Sequence, residues 1–161
     1  MNPTEHLTSR LGGKVLSAYQ ACGDEFVTVT PESFREAAEI LHRDAGLITL
    51  SDLAGVDGLH LGRTPRFEVV YYFADYRSTP AQRLYVKVAL PESNPHLPTI
   101  SDLFKSADWL ERECWDQFGI VFDGHPNLRR ILNHEDFVGH PLRKDYPVDG
   151  RHVLRRASHL E

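Results

Sequence analysis

The chain has 161 residues, 41% of them hydrophobic and 25% charged, with a formal net charge of -5. That is the make-up of one globular domain with enough chain for a real core. Residues 1–121 carry 11 of the 18 Lys+Arg and 17 of the 23 Asp+Glu, whereas residues 122–161 carry seven and six, with five of the nine His. An acidic body with a neutral-to-basic tail argues against nucleic-acid binding, which needs a concentrated positive face.

The two cysteines, Cys22 and Cys114, form no CxxC. This spacing argues against a thiolate-held iron–sulfur cluster, a zinc ribbon or a disulfide framework, and makes a reducing compartment the default. Residues 1–5 lack the basic and apolar regions of a signal peptide, and no apolar run approaches the ~20 residues of a membrane helix. Membrane contact is therefore expected only through partners.

Residues 6–20 show loose helical periodicity through Leu7, Leu11 and Val15, broken at Gly12-Gly13, and read as two short helices. Residues 26–30 alternate apolar and polar and predict a half-buried strand. Thr30 then reads as a helix cap, with Pro31 at the first helical position and Glu32 in the first turn. Phe34, Ala37, Ala38, Leu41 and His42 line one side of that helix, and Gly46 ends it. Residues 47–53 predict a strand, and 55–64, with three glycines, a turn. Residues 67–73 and 84–90 are strongly β-prone, joined by a polar hairpin loop. Pro91, Pro95 and Pro98 stiffen a linker. The order β-α-β-β-β, then helices and an irregular tail, predicts an α+β fold: a mostly antiparallel sheet with packed helices.

Ser101 or Ser106 can cap a helix carrying Ala107, Leu110, Cys114 and Phe118 on one face, with Gly119 as its stop. Its other sides hold Glu111, Arg112, Glu113 and Asp116 beside Trp109 and Trp115. One reading is a solvated face with an Arg112–Asp116 pair worth ~0.3 kcal/mol. The sharper reading is that Glu111 or Glu113 receives Arg129, Arg130 or Arg143 from the tail, partly desolvated by the tryptophans.

Past residue 121 periodicity fades and a near-repeat takes over. Phe122-Asp123-Gly124-His125-Pro126-Asn127-Leu128-Arg129-Arg130 is followed by Phe137-Val138-Gly139-His140-Pro141-Leu142-Arg143-Lys144. Gly opens backbone angles closed to other residues, and Pro fixes its own φ and extends the preceding His. Each unit is a stiff turn that aims two cations. The chain thus divides into an α+β domain, 1–121, and an extended C-terminal arm, 122–161, folded back on the domain or laid on another protein. The arm is too apolar for simple disorder, and its Gly and Pro limit internal hydrogen bonding, so it is expected to be protected only on a partner. Residues 151–161 read as a short helix or a frayed end.

His125, His134, His140 and His152 invite a metal, but their spacing matches no zinc motif. No phosphate-cradling loop and no nucleophile elbow is present. The residues favour a binding or structural subunit; a free-standing metal-dependent enzyme using the His cluster is the contrasting reading.

Three blocks of sequence carry a resemblance. They are residues 107–120, with Glu111-Arg112-Glu113 and Asp116-Gln117-Phe118-Gly119-Ile120; then Phe122 to Pro126; then Gly139-His140-Pro141-Leu142-Arg143-Lys144-Asp145-Tyr146-Pro147. Together they resemble the C subunit family of the proton-pumping NADH:quinone oxidoreductase, respiratory complex I. The clear match spans about 99–150, and Asp52-Leu53 and Val56-Asp57 fit the looser N-terminal pattern. The resemblance implies a peripheral-arm subunit without cofactors or catalytic residues of its own. FMN, iron–sulfur clusters, NADH and quinone would belong to the assembly. It implies docking onto the hydrogenase-like large subunit (the D subunit of complex I) and onto neighbouring peripheral-arm subunits, on the cytoplasmic side of the bacterial inner membrane. Docking residues expected on this basis are Glu111, Arg112, Glu113, His125, Pro126, Arg129 and Arg130 in the first blocks, and His140, Pro141, Arg143, Lys144, Asp145 and Tyr146 in the last. The equivalent subunit of a membrane-bound hydrogenase or related dehydrogenase complex is the alternative within the same fold.

Overall fold

A computed structural model describes residues 2–149. Helix α1 (Pro3–Leu11) starts at a capping box: the Asn2 side chain accepts the Thr4 N–H at 3.0 Å, and Glu5 accepts the Asn2 N–H at 3.1 Å. Leu7 and Leu11 are buried, and the helix stops at Gly12.

The second short helix expected before residue 20 is instead a strand, β1 (Val15–Ala21). It pairs antiparallel with β2 (Asp24–Val29) across Cys22-Gly23, both with positive φ. That turn matches the twist of a two-residue hairpin, and cross-strand contacts such as the Tyr19–Phe26 ring stack at 5.1 Å outweigh the weak helical pattern. Pro31–Ser33 forms a 3-10 turn leading into α2 (Phe34–Arg43). Thr30 makes no side-chain cap; its hydroxyl meets Ser33 Oγ at 3.0 Å.

Strand β3 (Thr49–Asp57) runs through Gly55, so the turn expected from there begins only at Gly58. β4 (Phe67–Asp75) and β5 (Gln82–Leu90) follow as a hairpin. The sheet order is β1-β2-β5-β4-β3, with β2 and β5 parallel and the other pairs antiparallel. This is the mostly antiparallel α+β arrangement the pattern predicts.

One sheet face is core. Val27, Val29, Phe67, Val69, Tyr71, Phe73, Leu84, Val86, Val88 and Leu90 are fully buried there. Phe34 of α2 stacks on Tyr71 at 4.3 Å, and Phe104 packs on Phe73 at 5.1 Å. The opposite face is more open and carries a ladder of rings, Tyr19–Phe26–Tyr85–Tyr72, each stacked on the next, with Lys87 over Phe26. Helix α3 (Ala107–Phe118) packs against β3. Its preceding Ser106 does not cap it; the hydroxyl donates to the Leu50 carbonyl at 2.7 Å, tying the helix start to the sheet edge. A short parallel pair, β6 (His96–Pro98) with β7 (Val121–Asp123), brings the chain to the head of the arm.

Candidate functional site

The arm runs along α3 in the same direction as the helix, and its contacts climb the helix in register. The His125 Nε2 lies 3.1 Å from the Asp108 carbonyl oxygen, and its Nδ1 accepts the Asn127 N–H at 3.0 Å. This leaves Nε2–H as the donor to Asp108. One turn on, Arg112 donates to the carbonyls of Arg129 at 3.2 Å and Arg130 at 3.1 Å, with Trp109 under its guanidinium.

Another turn on stands Asp116, whose side chain is fully buried. One oxygen accepts Arg130 Nη1 at 2.5 Å and Asn133 Nδ2 at 3.0 Å. The other accepts the N–H groups of Ile131, Leu132 and Asn133 at 3.1, 2.9 and 2.9 Å. Burial opposes ionisation, yet the Asn133 donors, Arg130 and the Ile131 N–H together hold this carboxyl well below the usual aspartate range. Arg130 completes the knot by donating to the Phe137 and Gly139 carbonyls at 2.6 and 3.0 Å.

The second Gly-His-Pro turn caps the end of α3. The last carbonyls of a helix lack intrahelical donors and carry its negative pole. Here His140 Nδ1 sits 3.0 Å from Asp116 O, Leu142 N donates to Gln117 O at 3.1 Å, and Arg143 Nε donates to Phe118 O at 2.6 Å. Gly119 permits the approach: its φ is +73°, and a Cβ there would lie 2.6 Å from the His140 ring and 2.7 Å from Arg143 Nη2. Burial, and then Arg143 and Arg130 nearby, push the His140 imidazole below its usual range, so the neutral ring is favoured.

The arm then crosses to the loop between β3 and β4. Buried Arg66 holds Asp57 bidentately at 3.0 and 2.7 Å and Asp145 at 3.1 and 2.8 Å, with Glu92 at 2.6 Å. The Lys144 N–H donates to Asp57 at 2.8 Å. Arg66, with burial opposing and the Lys144 and Leu59 N–H groups assisting, keeps Asp57 ionised far below its usual range.

Three expectations are corrected. Among the described residues neither Glu111 nor Glu113 receives Arg129, Arg130 or Arg143: Arg129 is exposed, Arg130 goes to Asp116, and Arg143 goes to a carbonyl and the Phe67 ring face, 5.1 Å away. The Arg112–Asp116 pair does not form either, because the arm supplies both with nearer partners. Nor does the arm wait for another protein to receive its amides: besides short turns of its own, those of Ile131, Leu132, Asn133, Leu142 and Lys144 end on Asp116, Gln117 O and Asp57 of the domain.

Of the other expected residues, Glu111 is fully buried and accepts the Ile100 N–H at 2.8 Å and the Thr99 hydroxyl. Burial raises its carboxyl to about 7, against those two donors, with Asp108 and Asp102 adding to the rise. Glu113, Pro126, Arg129 and Lys144 are exposed, Pro141 is half-buried, and Tyr146 stacks on Phe137 at 6.0 Å. Missed from the sequence were Asp116 as the hub, and Asp57 and Arg66. Asp116 carried a weak signal in its helical spacing; Arg66 carried none.

Among the described residues no three His, Cys, Asp or Glu side chains converge as metal ligands. His125, His134 and His140 each have separate surroundings. His152, like residues 151–161, lies outside the described residues.

Residues 27–152 match the family described as respiratory-chain NADH dehydrogenase, 30 Kd subunit. The chain belongs to that family. A relative named as the NADH-quinone oxidoreductase C subunit, from Roseiflexus sp. (strain RS-1), is 43% identical over 151 residues, 92% of this chain and 84% of the relative. Among solved structures, a trypsin-resistant fragment (1-134) of Nqo5 superposes with TM-score 0.66 and 37% identity, over 78% of this chain and 99% of the fragment. A membrane-bound sulfane sulfur reductase, an archaeal respiratory membrane complex, contains a chain with TM-score 0.69 at 20% identity, over 90% of this chain and 83% of its own, which shows the shared fold. Among the described residues no helix of this family member is long and apolar enough to cross a membrane.

Proposed function

We propose that this chain serves as the C subunit of a proton-pumping NADH:quinone oxidoreductase, bracing the quinone-site large subunit. NADH, FMN, iron–sulfur clusters and quinone belong to the assembly in this reading. The chain supplies shape and fixed charge, not a catalytic residue, and meets the membrane only through partners, on the cytoplasmic side of the bacterial inner membrane. One observation carries the reading. The family-like run from Gly139 to Pro147 is also the segment clamped onto α3 and onto the Asp57–Arg66 pair, so these residues build one rigid surface.

That surface leaves Leu142 and Lys144 outward, around a cavity of about 540 Å³ lined also by His60, Phe137, Pro141 and Tyr146. Glu113, Pro126 and Arg129 are exposed as well and complete the expected docking set in this reading. A second reading, the equivalent subunit of another membrane-bound respiratory complex, has the fold likeness to the sulfur reductase in its favour.

The test is isolation of the tagged full-length chain from membranes, with mass spectrometry of what accompanies it. A D-type large subunit together with an NADH- and FMN-binding subunit is the expected result. The large subunit without any NADH-binding chain favours the second reading. Recovery of the chain alone overturns both.

A further inference from the structure

Between β3 and α3 lies a notch of about 250 Å³, lined among others by Asp52, Leu53, Glu113, Gln117, Phe118 and Leu142. Asp52 comes from the strand and Glu113 from the helix, and both are exposed. Asp52 Oδ1 accepts only its neighbour's N–H, from Leu53 at 2.8 Å. Buried Asp57 and Asp116 each hold an arginine, whereas among the described residues no cation pairs with Asp52 or Glu113. Gln117 is only 8% exposed. Its side-chain amide has no hydrogen bond among the described residues, yet it is not one of the sealed, unpaired polar atoms, so it opens into the notch.

We propose that this notch receives an arginine side chain of a partner protein. Two carboxylates on facing elements repel each other until a cation separates them. A guanidinium presents five donors in a plane, enough to meet both carboxylates and the Gln117 oxygen at once. Its aliphatic stem would lie on Phe118, Leu53 and Leu142. A lysine offers a single point charge to acceptors on opposite walls, and an anionic or nucleic-acid partner is repelled. Among the described residues of the arm, Arg130 is committed to Asp116 and Arg143 to Phe118 O, and Arg129 is exposed without reaching either carboxylate. Leu142 lines both this notch and the larger arm cavity, so the two form one continuous surface. The inference therefore rests on the subunit reading above and names the chemistry of one contact within it.

The experiment uses full-length tagged chain in cells, as wild type, D52N, E113Q and E113R. Incorporation into the membrane-derived complex is read on native gels, and melting is followed on each free chain. E113R is expected to lower incorporation about tenfold, and D52N and E113Q to make retention more salt-sensitive. All free chains should melt as wild type does, because both side chains are exposed. Suppressors of E113R should replace one partner arginine by Asp or Glu, which identifies the occupant. E113R incorporating like wild type, or failing only because the free chain no longer folds, overturns the inference. Wild-type chain absent from any complex removes the subunit reading, and this inference with it.

Discussion

Two buried carboxylates on one helix behave in opposite ways. Glu111 and Asp116 sit five positions apart on α3, and both side chains have no exposure. Asp116 faces residues 130–133 of the arm and meets a guanidinium, three backbone N–H groups and an amide. Glu111 faces the segment before the helix and meets one N–H, from Ile100, and one hydroxyl, from Thr99. Burial opposes charge at both sites. Donors win at Asp116, and burial wins at Glu111, so the same chemical group is held ionised at one end and close to neutral at the other. What decides the state of a buried acid is the count of donors aimed at it.

The comparison breaks most sharply at Asp116. Asp116→Asn removes the charge, leaves the largely buried Arg130 with neutral carbonyl acceptors only and weakens the anchor of three arm N–H groups, at a cost of about 3–5 kcal/mol. Urea unfolding of the free chain should show that loss. Amide exchange at Ile131, Leu132 and Asn133, slow in the free wild-type chain, should become fast. Fast exchange there in wild type would mean the arm does not hold to α3 without a partner.

Glu111→Gln sharpens the other side. The folded carboxyl sits at about 7 against an ordinary 4.5, so the folded chain binds this proton more tightly than the unfolded one. Its stabilising contribution is full below about 4.5 and is lost as pH rises towards and through 7. Gln mimics the protonated form, accepting from Ile100 and donating to Thr99. E111Q should therefore match wild type near pH 4 and exceed it at pH 8 by ~2–3 kcal/mol. Parallel stability–pH curves for the two proteins would contradict this. Asp116 carries the opposite sign: its folded pKa is depressed, so its contribution is present above the ordinary aspartate range and is lost as pH falls through the folded value.

Arg143→Ala comes next. The side chain donates to the end of α3 and stacks on Phe67, so its loss should destabilise the free chain by about 1.5 kcal/mol as well as weaken incorporation into the complex. Lys105→Ala, at an exposed position before α3, should change neither by more than ~0.5 kcal/mol. Calorimetry on both variants separates them; equal small shifts would remove Arg143 from the clamp.

The sequence alone marked the middle of the sheet, because β4 and β5 are runs of β-branched and aromatic residues and β2 alternates apolar and polar with the strand's own period. It determined α3, whose apolar spacing and terminal Gly119 mark its length, and it marked the two Gly-His-Pro turns. The strand β1 was hidden, since its side chains are mostly exposed and its pairing depends on β2 alone. Only the tertiary structure decided where the arm's cations go. A guanidinium reads the same in sequence whether it faces a carboxylate, a helix terminus or a ring. The choice among Asp116, Phe118 O and Phe67 is made by distances between segments far apart in the chain, and these exist only once the core has brought α3, β3 and the β3–β4 loop together.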